Sequence, residues 1–479
     1  MSKKLIIESY DDWLNFFEIN SLLFKKHGTF LEGQLKLLKE IYDCLSTSKT
    51  IVHFFSAPPS SGKTHIIGLL AKYFANKSEN VCVVLSNNFL KQDFIDSLKN
   101  IYNGIKKLDI LTIYDYVNSK KEYNYVLIDE AHNIKNYLDF NYQLVKNYEI
   151  DSSFELFNIL YYRYLPSNND FVAKQLDYPS SKEIIDIISS SNRNEIKEVA
   201  HDPTTWLTFI YIWKNSNYIL LKFVNTEILS SFKLPKENLL LFSATPLSNS
   251  ELEIYCGIKS ECITRSNDII IAEKNIRKLY ISILDVFTAE DKINFLKSIL
   301  NNIEAKTLIL FNNHRSCLKA YTELSKEIKN TYIYLPFSEK KNKIYDDFLK
   351  NNPAHLFTSS TVFWEGISIP NLDVLIIFEK PVPRPSVFDL MGKKPISGRE
   401  DMIRRLEQGL GRIGRRQNEY GLGITFFDLL DIGLDLPEIV CSNKFSRQKS
   451  WECLLLLYNM YKLKQTTVKD VIETGRRSL

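Results

Sequence analysis

The chain has no apolar run long enough to cross a bilayer. Its apolar runs, such as Leu239–Phe242 and Leu454–Leu457, fall far short of the roughly 20 residues a spanning helix needs, so no membrane partner is expected. The N-terminus, Met-Ser-Lys-Lys-Leu-Ile-Ile-Glu, lacks the apolar core of a secretory signal, and a cytoplasmic protein is expected. The seven cysteines are odd in number and scattered, without a C-x-x-C pair. That argues against a disulfide framework and against a zinc site. Net charge is only +4 over 479 residues, so any nucleic-acid surface must be local, such as a groove. What remains is an ordinary globular composition, 44% hydrophobic and 25% charged, on a chain long enough for two or three domains.

The most informative segment is Ala57-Pro58-Pro59-Ser60-Ser61-Gly62-Lys63-Thr64. It follows the apolar run Ile51–Phe55 and precedes Ile66–Leu70. Strand, small-residue loop, Gly-Lys-Thr and helix together predict a phosphate-binding loop. Its amides and the helix N-terminus can wrap an anion. Lys63 can reach the β- and γ-phosphates, and Thr64 can ligate Mg²⁺. Ala57 and Ser60 stand where glycines are usual, and both are small enough for backbone to approach phosphate. ATP and Mg²⁺ are therefore the expected cofactors.

Around this loop, apolar runs alternate with helical patterns: 51–55, Val81–Leu85, Ile110–Ile113, Tyr125–Ile128 and Leu239–Phe242, after a helix over Leu35–Leu45. A second series follows: Leu279–Ile283, Thr307–Phe311, Tyr332–Leu335, Leu356–Thr358, Val374–Phe378 and Gly423–Phe427. Such alternation predicts α/β domains with parallel sheets. About 100 residues between the halves, rich in Tyr, Phe, Asn and Ser, read as mostly helical over Phe154–Tyr164, Lys182–Ser189 and Trp206–Trp213. The expected domains are an N-terminal extension 1–30, a first α/β domain 31–135 plus 236–275, an insertion 136–235 and a second α/β domain 276–479.

Tyr125–Ile128 ends in Asp129-Glu130-Ala131-His132. A carboxylate at a strand's C-terminal end beside the phosphate loop suits Mg²⁺, and the adjacent Glu130 is placed to activate water. Here the sequence resembles the superfamily 2 helicases, whose motifs I and II these are, with Asp-Glu-Ala-His as the DEAH form. Further segments match in family order. Ser243-Ala244-Thr245-Pro246 resembles motif III, which implies a coupling role shared with His132. Thr358–Pro370, with Phe363-Trp364-Glu365-Gly366, resembles motif V. Gln408-Gly-Leu-Gly411-Arg412-Ile-Gly-Arg415 resembles motif VI. Gln408, Arg412 and Arg415 have helical spacing and can share one face. Arginines presented across a cleft can neutralise charge developing on the γ-phosphate.

The motif V region, the following Pro381-Val-Pro383-Arg-Pro385 and the position of the insertion resemble the XPD/DinG-like branch. The resemblance implies two RecA-like domains in tandem, the first carrying a mostly helical, arch-like insertion. It also gives Gln34 the place of an adenine-reading glutamine. There are three departures. Residues 65–128 hold only Cys82, so a four-cysteine iron–sulfur cluster is excluded there. Ser368 stands where the branch has Asp. No exonuclease domain is expected ahead of the motor.

Nucleic-acid contacts are expected at Ser86, Asn87 and Asn88, at Asn312, Asn313, His314 and Arg315, and across the Ser359–Thr361 loop, mainly to phosphates. Lys393–Arg416 holds eight Lys or Arg against three acids and reads as a basic lip. Trp206 and Trp213 read as core residues. The reading is an ATP-dependent DNA helicase or translocase acting on single-stranded or tailed duplex DNA. The resemblance implies 5′-to-3′ travel. Two rivals stand beside it: an RNA helicase of the same fold, and an ATP-switched nucleic-acid-binding subunit of a larger complex.

Overall fold

The computed structural model describes residues 9–441 apart from short internal stretches, which include 58–60, 137–139, 146–151, 267–277, 365–366, 368, 392–397 and 414–420. It divides into two compact units. One is Met1–Ile270 with Arg384–Pro395, the other Ile271–Pro383 with Ile396–Leu479.

In the first unit, the helix Tyr10–Asn20 is capped by the Ser9 hydroxyl, which accepts from the Asp12 amide. Its Trp13 and Phe17 are wholly buried, and their rings lie 4.7 and 6.0 Å from that of Tyr73. Burying each of these aromatics contributes roughly 3 kcal/mol, so the N-terminal extension is part of this unit's core. After the helix Glu32–Thr47 come β1 (Val52–Ser56), β2 (Val81–Leu85), β3 (Leu108–Thr112) and β4 (Tyr125–Ile128). The chain then enters the insertion, with β5 (Phe140–Val145), β6 (Phe171–Gln175), β7 (Trp206–Trp213) and β8 (Tyr218–Asn225). It returns as β9 (Leu239–Ser243) and β10 (Ile263–Arg265).

The main sheet has the order β10-β1-β9-β4-β2-β3 and is parallel throughout. Every residue of β2, β4 and β9 is buried. That is why these strands read as unbroken apolar runs: helices cover both faces of a parallel sheet.

The insertion is about half helical. Helices Ser152–Tyr164, Tyr178–Ile188 and Asn194–His201 pack on an antiparallel sheet of order β5-β8-β7-β6. Phe157, Leu160, Ile185, Ile210 and Leu221 lie in their shared core. The helix expected over Trp206–Trp213 is instead the strand β7. Phe209 to Ile212 are all fully buried. A central strand covered on both faces carries no polar spacer, and β-branched and aromatic residues favour it over helix. The Tyr211 hydroxyl donates to the Pro385 carbonyl at 3.0 Å. Trp206 lies in the core, as expected, and Trp213 packs on Phe171 at 5.1 Å.

The second unit contains β11 (Lys278–Ser282), β12 (Lys306–Leu310), β13 (Thr331–Tyr334), β14 (Ala354–Thr358), β15 (Val374–Ile377), β16 (Gly421–Thr425) and β17 (Ile439–Cys441). They form one parallel sheet of order β13-β14-β12-β15-β16-β11-β17. Each unit is thus a RecA-like α/β domain. In each, the loops at the carboxyl ends of the strands gather along one edge, where open α/β sheets bind ligands.

Candidate active site

Strand order explains how distant motifs meet. In the first unit β9 lies between β1 and β4. The loop after β1, the Ser243 end of β9 and the acids after β4 therefore emerge side by side. The Ala57 amide donates to the Ser243 carbonyl at 3.1 Å, which ties the phosphate loop to motif III at the backbone.

Gly62 has φ +81° and caps the helix Lys63–Asn76. A Cβ there would stand 2.4 Å from Gln34 Nε2, so Gln34, itself buried, lies directly on the loop. Lys63 is buried, and its Nζ donates to the Ala57 carbonyl at 2.9 Å. Thr64 Oγ1 donates to Asp129 Oδ2 at 3.0 Å. Asp129 Oδ1 accepts from the Glu130 amide at 2.9 Å. Burial and the neighbouring Glu130 carboxylate push the Asp129 carboxyl well above the usual carboxylate range, against the pull of Lys63 and Thr64. An acid pair of this kind, with Asp129 buried, favours a cation beside itself and the loop hydroxyl. Ser61 is buried in the same loop. Pro58, Pro59 and Ser60 lie outside the described residues.

Glu130 has φ +49°, a left-handed conformation that costs a non-glycine residue on the order of 1 kcal/mol. Its carbonyl accepts from the Asn133 amide at 2.9 Å. His132 Nδ1 lies 3.5 Å from Glu130 Oε2 and hydrogen-bonds Ser243 Oγ at 2.8 Å. Ser243 Oγ also accepts from the Thr245 amide at 3.0 Å. A buried chain therefore runs from Glu130 through His132 and Ser243 to Thr245, with Ala244 between the last two. His65, next to Thr64, points elsewhere: its Nε2 lies 2.9 Å from Ser21 Oγ, and burial pulls its pKa down to about 4. The sequence offered no signal for this tie between the extension and the loop helix.

In the second unit the motif VI helix ends at Leu410. The expectation that Gln408, Arg412 and Arg415 share one helical face is corrected. Arg412 lies in the turn beyond, where its amide donates to the Gly409 carbonyl at 3.0 Å. Its buried guanidinium donates to the carbonyls of Trp364, at 3.0 and 3.1 Å, and Ile367, at 2.5 Å. Motif VI is thus stapled to the motif V backbone by one arginine side chain. Gln408 is buried in the helix's last turn. Arg415, Glu365, Gly366 and Ser368 lie outside the described residues.

Several expected nucleic-acid contacts have local duties. Asn87 Oδ1 accepts from the Leu90 amide at 3.0 Å, at the start of the helix Asn88–Tyr102. Asn313 caps the helix His314–Leu324 by accepting from the Ser316 amide, and its Nδ2 donates to Glu379 Oε2 at 3.0 Å. The Asn312 amide donates to the same carboxylate at 3.2 Å. Glu379 was missed, although an acid just after the apolar run Val374–Phe378 is the same signal that exposed Asp129. Ser86 is buried, Ser359 half-buried, and Arg315 and Thr361 are exposed. The described part of the basic segment is engaged within its own unit. Arg404 pairs with Asp401 at 3.0 Å, Arg399 donates to the Ile432 carbonyl at 3.4 Å, and Arg405 lies 5.3 Å over Trp364.

Residues 296–428, within the second unit apart from the 384–395 segment, match the family described as a helicase C-terminal domain. No curated protein matches the chain. Among solved structures, Xpd4 of S. tokodaii is 15% identical with a TM-score of 0.51, the alignment covering 86% of this chain and 99% of that one. Dbp5 of S. cerevisiae, bound to RNA and ADP BeF3, is 12% identical with a TM-score of 0.53, covering 97% and 100%. Mss116p bound to ssRNA and AMP-PNP is 13% identical with a TM-score of 0.52, covering 95% and 84%. At these identities the likeness is one of fold. The chain has the fold of these helicases, and residues 296–428 are similar to a helicase C-terminal domain.

Proposed function

We propose that the chain is a nucleic-acid-dependent ATPase that couples Mg-ATP hydrolysis to 5′-to-3′ movement along single-stranded DNA. The observation that carries the reading is the Thr64–Asp129 hydrogen bond of 3.0 Å at the head of the buried Glu130–His132–Ser243 chain. The donor set fits the cofactor. A hydroxyl and a carboxylate stand together as hard oxygen ligands for Mg²⁺, and a buried ammonium and a helix N-terminus suit phosphate. Bound Mg²⁺ supplies charge neutralisation on the phosphates.

The chain's own residues do the rest. Lys63 leaves the Ala57 carbonyl for the phosphates. Glu130 takes the proton of the attacking water, its carboxylate held in place by the strained backbone and by His132. The His132–Ser243 bond carries the change at Glu130 to the Thr245 backbone. Arg415 meets charge developing on the γ-phosphate, as the resemblance implies, with Arg412 keeping the motif V backbone in register. The exposed Arg315 and Thr361 contact the strand's phosphates.

The test is strand separation on 5′- and 3′-tailed duplexes with DNA or RNA as the tracking strand. ATP-dependent unwinding of the 5′-tailed DNA alone supports the reading. Unwinding only with RNA replaces DNA by RNA as the track. Strand binding that responds to ATP, without unwinding or turnover, replaces the motor by a switched binding subunit.

A further inference from the structure

The turn that carries Arg412 is seated on a feature no motif includes. Tyr280 on β11 stands directly opposite Gly423 on β16 in the parallel ladder. A Cβ at Gly423 would lie 2.5 Å from Tyr280 Cδ1 and 3.5 Å from Ile413 Cδ1. The missing side chain thus leaves room that the tyrosine ring and Ile413 share. Both residues are buried, Ile413 completely. The Tyr280 hydroxyl donates to the Leu410 carbonyl at 3.2 Å. Leu410 is the last residue of the motif VI helix, and the final carbonyls of a helix have no partner within it. One hydroxyl therefore caps the helix where the arginine turn begins. Two residues on, Arg412 donates to motif V. Gly409, just before Leu410, lies against Trp364: a Cβ there would stand 3.0 Å from its ring.

We infer that Tyr280, lying over Gly423, is a positioning residue for the arginine turn. It sets where the helix stops, and so the point from which Arg412 reaches the Trp364 and Ile367 carbonyls. A larger residue at 423 has to move the ring and release that end. A phenylalanine at 280 keeps the ring and its packing but leaves the buried Leu410 carbonyl without this donor. The kinetic half of the inference rests on the proposed ATPase, and the structural half does not.

The experiment uses the full chain with Tyr280→Phe and, as a second variant, Gly423→Ala. Amide hydrogen exchange of Gly411–Ile413 is expected to quicken about five- to tenfold in Tyr280→Phe, the size of one lost hydrogen bond. The amides of β11 and β16 should keep wild-type protection. ATP turnover should fall several-fold with KM for ATP unchanged, because Lys63, Thr64 and Asp129 in the other unit are untouched. Gly423→Ala should move both readouts the same way and further. Wild-type exchange at 411–413 in Tyr280→Phe overturns the inference whatever the turnover. Faster exchange with unchanged kcat overturns its catalytic half. A wild-type chain that hydrolyses no ATP defeats the proposed function instead, and exchange then decides the role of Tyr280.

Discussion

Replacing Ser243 with alanine removes one oxygen and two hydrogen bonds at the join between motifs II and III. Ser243 is fully buried. Its Oγ bonds His132 Nδ1 at 2.8 Å and the Thr245 amide at 3.0 Å. At about 0.5–1.5 kcal/mol net for each bond, the variant should lose about 1–3 kcal/mol of stability. Urea unfolding followed in the first unit measures that loss, with an unchanged slope against denaturant. His132→Ala removes the other end of the same bond, so the double variant should cost less than the sum of the singles by about 1 kcal/mol. The functional consequence is specific. Lys63, Thr64, Asp129 and Glu130 remain, but the link from Glu130 to the motif III backbone is cut. Strand separated per ATP consumed should therefore fall at least about fivefold, the effect of one coupling bond of roughly 1 kcal/mol. Additive single variants together with an unchanged ratio of unwinding to hydrolysis would refute the reasoning.

Two further outcomes follow from particular side chains. Gly62→Ala should lower affinity for a fluorescent ATP analogue by about tenfold or more, because φ +81° disfavours alanine and its Cβ would meet Gln34 Nε2 at 2.4 Å. Against Gln34→Ala alone, Gly62→Ala should cost less than it does in the wild-type chain, by the steric part, and no remaining cost would show that backbone strain contributes nothing. His355, buried on β14, has its pKa pulled down to about 4 by burial, against about 6.5 in an unfolded chain. The unfolded state then binds more protons between those values. The contribution is complete above pH 6.5 and is lost as pH falls to 4, by about 3 kcal/mol. His355→Leu should flatten the acid limb of the melting curve over that window, and an unchanged limb would place the sensitivity elsewhere.

The sequence made the two parallel sheets legible, and with them the meeting of the Gly62-Lys63-Thr64 loop and Asp129, because each depends on local, contiguous signals. β2 and β9 are short, almost wholly apolar runs bounded by polar residues, the length and setting of a covered strand. Lys63, Thr64 and Asp129 are chemical groups whose spacing from strand ends is set by their task. The insertion was harder. Trp206–Trp213 is apolar at every position but Thr208, and such a run has no period to distinguish helix from strand. Arg412 illustrates a different loss. Motif spacing shows which residues recur on a helix but not where the helix stops, and the stop at Leu410 is fixed by Tyr280, 130 positions earlier. Ser21 on His65 and Asn312 beside Glu379 are long-range polar contacts of the same kind. Asn87 and Asn313 show the converse, since polar loop residues expected on nucleic acid also cap the helices that follow them.

The most direct test is ATP hydrolysis measured with and without single-stranded DNA, in the wild-type chain and in Glu130→Gln. The account predicts turnover that the strand stimulates in wild type. It predicts a loss of about 10²- to 10⁴-fold in the variant, the usual contribution of a general base, with affinity for ATP retained. Equal turnover in the two proteins, or wild-type turnover that no strand alters, would contradict it.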